Sequence, residues 1–160
     1  MAKDKVPATP AIRLLKQHKV KFIPRFYKYE DRGGTKTSSR ELQVDEHEVI
    51  KTLVMEDEQQ RPFIVLMHGD CEVSLKHLAR QLKVKKITPC SVAKAASLTG
   101  YQTGGISPFG THQPLPIFME ETIGKLDRLL INGGRRGLLI EIAPKDLTDI
   151  LNPRPVSVAI

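Results

Sequence analysis

Tryptophan is absent and aromatic residues make up only 5% of the 160 residues, which leaves little material for a platform on which single-stranded bases would stack. Cysteine is almost as scarce. Cys71 and Cys90 are too few and too far apart for a disulfide framework or a CxxC metal clip, and they point to a reduced, cytoplasmic setting. The longest uninterrupted apolar run, Phe63–Met67, falls far short of the ~20 residues a membrane span requires. Near Met1, the charges of Lys3, Asp4, Lys5 and Arg13 interrupt the apolar stretch a secretory leader would need. The expectation is one α/β domain over residues 1–160, long enough to bury a core without covalent staples.

What the chain does have is positive charge, unevenly placed. The net charge is +7. Residues 61–110 hold 7 bases against 2 acids, whereas residues 1–60 hold 12 against 10 and residues 111–160 hold 6 against 6. Lys83, Lys85 and Lys86 form the densest run in that middle segment. Such an excess either steers phosphates toward the surface or is simply solvated.

Thr9-Pro10 predicts the start of a first helix, with Ala11, Ile12 and Leu15 on one face. Lys19–Tyr29 reads as one or two short strands, and Gly33-Gly34 as a breaker. Ser38-x-x-Glu41 has the form of a capping box for a short helix ending near Asp45. Val49–Met55 and Pro62–His68 read as strands, and Ser74 caps an amphipathic helix carrying Leu75, Leu78, Ala79 and Leu82. A strand at Val84–Thr88, a helix at Val92–Leu98, a Gly-rich loop from Thr99 to Thr111 and a strand at Leu115–Met119 follow. A helical turn is expected around Glu121–Gly124. Arg128–Ile131 and Leu138–Ile142 read as a hairpin joined through Asn132-Gly133-Gly134-Arg135-Arg136-Gly137. Pro144 opens a last helix to Leu151, and the tail with Pro153 and Pro155 reads as extended. Strands and helices intermix without strict βαβ alternation. The fold class expected is therefore α/β, with a mixed, barrel-like sheet surrounded by helices.

The loop Gly104-Gly105-Ile106-Ser107-Pro108-Phe109-Gly110-Thr111 fails as a phosphate loop, because Thr111-His112 stands where Lys-Ser/Thr is required. It fails as a nucleophile elbow too: Phe109 replaces the second glycine and Pro108 blocks the turn. What remains is a loop able to aim backbone N–H groups into a cleft, or one that is purely structural. His68, Cys71 and His77 lack a fourth ligand at zinc spacing, so no metal is expected. No His-rich or carboxylate constellation is fixed beside either cysteine by sequence, which disfavours both as nucleophiles. Lys51 stands out. Period-2 alternation puts it on one strand face with Leu53 and Met55, either snorkelling to water or lining a pocket.

Thr9-Pro10-Ala11, Val49-Ile50-Lys51-Thr52-Leu53, Gly69-Asp70, the run from Thr99 to Gly110 and the run from Asn132 to Gly137 together resemble the YbaK family, including its EbsC branch. These aminoacyl-tRNA deacylases are stand-alone relatives of the editing domain of bacterial prolyl-tRNA synthetase. The resemblance implies the YbaK/prolyl-tRNA synthetase-associated-domain fold and a trans-editing hydrolase that cleaves the ester of a mischarged tRNA. It implies that Lys51 is the essential charged group and that Thr52 and Tyr27 are pocket residues. Gly104 and Gly105 would supply backbone groups near the ester, within a loop completed by Ile106, Ser107 and Pro108. Asn132 would line the pocket with Gly133 and Gly134. Lys83, Lys85 and Lys86 would meet tRNA phosphates.

The implied partner is mischarged tRNA(Pro), with prolyl-tRNA synthetase as a candidate second partner and with no cofactor. In cysteine-specific members the substrate's own thiol is the nucleophile, which fits the missing Ser/Cys–His pair and makes Cys-tRNA(Pro) the expected substrate. Gly34 falls where some deacylases have Phe, and Leu139 where some have a polar residue, so specificity is the open point. The alternatives are a deacylase for Ala-tRNA(Pro) that uses water, and a non-catalytic tRNA- or synthetase-binding module.

Overall fold

A computed structural model describes residues 5–160; Lys3 and Asp4, which enter the leader expectation, lie outside the described residues. The helices are α1 (Pro10–Gln17), α2 (Gly34–Leu42), α3 (Leu75–Leu82), α4 (Val92–Thr99) and α5 (Pro144–Leu151). The strands are β1 (Ile23–Phe26), β2 (Val49–Asp57), β3 (Pro62–His68), β4 (Ile87–Pro89), β5 (Ile117–Glu120), β6 (Leu129–Arg135), β7 (Leu138–Ile142) and β8 (Arg154–Val156). They form one mixed sheet in the order β1-β7-β6-β2-β3-β5-β8, with β4 also on β2. Among the described residues, no helix is long and apolar enough to cross a membrane.

Side-chain caps start three of the helices where expected. Thr9 accepts from Ile12 N–H, Ser74 from His77 N–H and Ser91 from Lys94 N–H, each satisfying a donor that a helix start leaves unpaired. The strands then sort side chains by parity. One face carries Ile50, Val54, Ile64, Leu66, Ile131 and Ile140, buried against Ile12 and Leu15 of α1, Leu98 of α4 and Leu147 of α5. The other carries Met55, Val65 and Met67 beneath Leu78 and Ala79 of α3, with Val49, Leu130 and Leu139 in a smaller cluster near Leu42 of α2.

Several boundaries differ from the sequence expectation. Helix α2 starts at Gly34, not Ser38; Ser38 lies inside it, buried, its Oγ donating to Thr35 O at 3.2 Å. The capping box fails because the Gly33-Gly34 turn, with Gly34 at φ +61°, already redirects the chain into the helix. Asp45 caps the 3-10 helix Glu46–Glu48 instead. Residues 84–86 are not strand: Val84 N–H closes α3 by donating to Ala79 O, and Lys85 N–H donates to the Glu58 carboxylate. Strand β5 starts at Ile117, after Pro114 and Pro116, which have no N–H to pair. Asn132, Gly133 and Gly134 are not the hairpin turn. They lie within β6, where a register shift separates Asn132 from Arg135, and the reversal occurs at Arg136-Gly137. The tail forms β8, parallel to β5.

One pairing detail places the site. Along Ile50–Glu56, β3 covers one edge of β2. On the other edge, β6 pairs only with Val49 and Ile50, and β4 only with Met55–Asp57. Between them the edge of Lys51–Leu53 has no strand partner among the described residues.

Candidate active site

A cavity of about 400 Å³ opens at that gap. Residues 49–53 of β2 form one wall, and Thr103, Gly104 and Ile106 approach from the loop. Asn132 and Leu139 line it from β6 and β7, Tyr27 and Tyr29 from the segment after β1, and Gly34, Thr35, Thr37 and Ser38 from α2. Lys51 shares its sheet face with Val49 and, through the register, with Met67. Its partial exposure therefore belongs to the cavity rather than to open surface. Among the described residues no carboxylate lies within 4.0 Å of its ammonium. Thr52 points to the opposite face yet also lines the cavity, and its Oγ1 is buried with no hydrogen-bond partner among the described residues. An orphaned buried hydroxyl costs about 1–3 kcal/mol, which a ligand atom would offset.

The loop divides into groups that face the cavity and groups that hold it in place. Gly104 has φ +86°, and a Cβ there would meet Tyr29 Oη at 2.5 Å, so glycine is required. Its carbonyl accepts from Asn132 Nδ2 at 3.0 Å, while Asn132 Oδ1 accepts from the N–H groups of Gly134 and Arg135. Asn132 is thus both a lining residue and the brace between loop and hairpin. The N–H groups of Gly104 and Ile106 donate to no protein group among the described residues.

Gly105, expected beside the ester, is set back. Its N–H donates to Gln102 O at 2.9 Å, and a Cβ would press on Arg136 N. Ser107 is fully buried and accepts from Phe109 N–H. Pro108, Gly133 and Gly134 do not line the cavity either; Gly133 O receives the Thr9 hydroxyl and Gly134 lies against Tyr101. Tyr101, its phenol pushed up to about 12 by burial, pins the loop by donating to Phe109 O at 2.6 Å.

A family model for the aminoacyl-tRNA editing domain matches residues 32–150. The chain belongs to this family. Over 154 residues it is 29% identical to a protein of Enterococcus faecalis named "Putative Cys-tRNA(Pro)/Cys-tRNA(Cys) deacylase EbsC", covering 95% of this chain and 94% of the relative. It is 24% identical to the "Uncharacterized protein YwhH" of Bacillus subtilis, over 63% of this chain and 64% of the relative. Its fold matches "a putative trans-editing enzyme for prolyl tRNA synthetase" with a TM-score of 0.81 at 19% identity, covering 97% and 99% of the two chains. The sheet with its surrounding helices is therefore the expected YbaK-type fold, and the chain is an aminoacyl-tRNA editing enzyme.

In this editing domain the wall made by α2 was missed by sequence reasoning, because a helix started at Ser38 leaves Gly34 and Thr35 outside it. The α2 hydroxyls are engaged: Thr35 donates to Glu46, Thr37 to Glu30 and Ser38 to Thr35 O. Burial holds the Tyr27 phenol above its ordinary value, so it is neutral at physiological pH. Lys83, Lys85 and Lys86 are exposed, but they lie at the far end of β2, level with Asp57. Six residues of strand put them ~20 Å from Lys51.

Neither cysteine lines the cavity. Cys71 Sγ, His47 Nδ1 and Asp70 Oδ1 lie within 4.8 Å of one another, so His47, not His68 or His77, is the imidazole beside Cys71. Burial and the Asp70 carboxylate push the Cys71 thiol up, against the opposing charge of Lys51. A protonated thiol is a poor metal ligand or nucleophile. Cys90 is likewise raised by burial and Glu56.

Proposed function

We propose that the cavity binds the aminoacyl ester at the 3′ end of a mischarged tRNA and cleaves it, with Cys-tRNA(Pro) as its substrate and residues 1–160 acting as one cytoplasmic domain. One observation carries this reading: an ammonium with no carboxylate within 4.0 Å, a hydroxyl without a partner and two uncommitted backbone N–H groups, all among the described residues, line one cavity. These are donors without a nucleophile. No histidine or cysteine lines the cavity among the described residues, and of its two carboxylates, Glu30 and Asp31, the first is already bonded to Thr37 and Arg40, so no Ser–His or Cys–His pair is available there. The substrate then supplies the nucleophile. The cysteinyl sulfur attacks its own carbonyl carbon, the bond from that carbon to the ribose oxygen breaks, and the thiol proton ends on the ribose hydroxyl. The products are uncharged tRNA and a thiolactone, which water later opens to cysteine.

In this scheme Lys51 and the N–H groups of Gly104 and Ile106 hold the carbonyl oxygen as it becomes negative, each such donor contributing about 2.7–4 kcal/mol. Thr52 Oγ1 and Tyr27 orient the aminoacyl group. Gly105, Ser107, Pro108, Gly133 and Gly134 act as the frame that holds those donors. The name of the Enterococcus faecalis relative supports cysteine as the acyl group.

The test is deacylation of Cys-, Ser- and Ala-tRNA(Pro) side by side, with solvent enriched in oxygen-18. Cysteinyl-tRNA is expected to be cleaved far faster than seryl-tRNA. Exchange of sulfur for oxygen changes binding by only about 1–3 kcal/mol, so a larger gap reports the thiol's chemistry. Equal rates, or label in the first-released product, would assign the attack to water and point to alanine. Cleavage of none of the three would leave a binding module.

A further inference from the structure

We infer that a second cleft, joined to the first through Tyr27 and Tyr29, binds a phosphodiester of the single-stranded RNA 3′ end whose ester occupies the first, an assignment that rests on the function proposed above. The cleft measures about 390 Å³ and is formed by Lys5, Phe26, Tyr29, Arg135, Arg136 and Gly137, with no acidic residue in its lining. Its two arginines are adjacent in sequence and converge on one cleft. Arg25, Arg40, Arg61 and Arg128 each lie within 3.3 Å of a carboxylate, whereas neither Arg135 nor Arg136 has one within 4.0 Å among the described residues. Two guanidinium forks beside an ammonium fit a phosphate.

Arg136 is already held in position. Its Nε donates to Thr103 O at 2.7 Å and its guanidinium carbon stands 5.0 Å from the Tyr29 ring centroid. Its Nη donors are committed to no protein acceptor among the described residues. Thr103 and Gly104 therefore separate two chemistries, the ester cavity on one side and the arginine on the other. A terminal nucleoside has the same layout, with an ester on its 3′ side and a phosphate on its 5′ side. Phe26, 36% exposed, adds an apolar face on which a base can stack.

Two measurements test this. The first is fluorescence anisotropy of a labelled RNA pentamer ending in CCA, titrated at several salt concentrations. Arg135→Ala, whose side chain braces nothing, is expected to weaken binding about tenfold at low salt. The Arg135→Ala/Arg136→Ala pair should lower the slope of log K against log salt by about 0.7 for each phosphate that is no longer neutralised, and Arg135→Lys should recover that slope. Affinity and slope equal to those of the wild type in the double variant would overturn the proposal.

The second measurement compares kcat/KM on aminoacyl-tRNA with kcat/KM on the phosphate-free 3′-O-aminoacyl adenosine. The double variant should lose at least tenfold more on the tRNA. Equal losses on both would show that Arg136 only positions the Thr103 loop. A wild-type protein that cleaves neither ester would defeat the proposed function, while the anisotropy series would still decide the cleft.

Discussion

The two ends of β2 share one backbone and one neighbour, β3, yet they end in opposite electrostatic states. At the Asp57 end both carboxylates of the strand are matched. Glu56 pairs with Lys94 at 2.7 Å, and Asp57 accepts from the N–H groups of Gln59 and Arg61 and from Arg61 Nε. Strand β4 covers the edge there. At the Lys51 end the edge is bare, the lysine has no counterion and Thr52 Oγ1 has no partner among the described residues. A strand that satisfies its groups so fully at one end has the means to do so at the other. The open end is where stability has been given up for a ligand.

Replacing Lys51 should have the largest effect. Lys51→Ala is expected to lower kcat/KM for Cys-tRNA(Pro) by about 10²–10³, with an unchanged thermal midpoint because the side chain bonds to none of the described residues. Lys51→Arg should fail as well, since a planar fork does not replace a compact charge. Retention of more than about a tenth of the wild-type rate would make Lys51 a snorkelling surface residue and erase the contrast between the two ends.

Asp57→Ala should do the reverse, lowering thermal and urea midpoints together while leaving kcat/KM in place. The backbone donors of Arg61 and Gln59 and the Arg61 side chain hold the Asp57 carboxyl below its usual range, against burial. The folded chain then gives up this proton more readily than the unfolded one. The stabilisation is therefore present above pH ~3.9 and lost as pH falls through the depressed value. A midpoint that follows the wild type down to pH 3 would show this end to be ordinary surface.

A smaller effect sharpens the open end. His68 is buried opposite Ile50, with ring nitrogens 2.7 Å from His47 O and from Thr122 Oγ1. Burial lowers its pKa. The unfolded chain protonates first, so stability should decline as pH drops below ~6.5. His68→Gln should flatten that decline between pH 7 and pH 5.5 in thermal melts. An identical pH profile in the variant would remove His68 as its source.

Much of this was legible in the sequence because local chemistry and tertiary packing agree. Thr9, Ser74 and Ser91 cap where cap chemistry puts them, and alternation along β2 is enough to set Lys51 apart. Tyr27, Thr52, Gly104, Ile106 and Asn132, which the resemblance singled out, line one cavity. The failures have physical causes. A Gly-Gly pair reads as a break, whereas Gly34 at positive φ lets α2 begin at once and wall the cavity. Asn132-Gly133-Gly134 carries turn composition but is consumed by a bulge. Gly105 looked equivalent to Gly104, yet only its packing against Arg136 decides which of the two faces inward. Unpaired Arg135 and Arg136 could not be told from paired Arg25 and Arg128, because ion pairing is a property of the fold.

The pairing of β1 with β7 has a consequence in time. Arg25 and its partner Glu141 stand 116 positions apart, and the cavity that Tyr27 and Leu139 line beside this strand pair also draws on α2, β2 and the Gly104 loop. Pairings so distant in sequence form late, after the entropy of closing the chain has been met. A refolding or partly synthesised chain can hold its helices and the β2–β3 hairpin and still possess no cavity. Recovery of editing should therefore trail recovery of secondary structure, and a chain emerging from a ribosome, itself fed by aminoacyl-tRNA, stays inert toward its supply until β7 has closed onto β1.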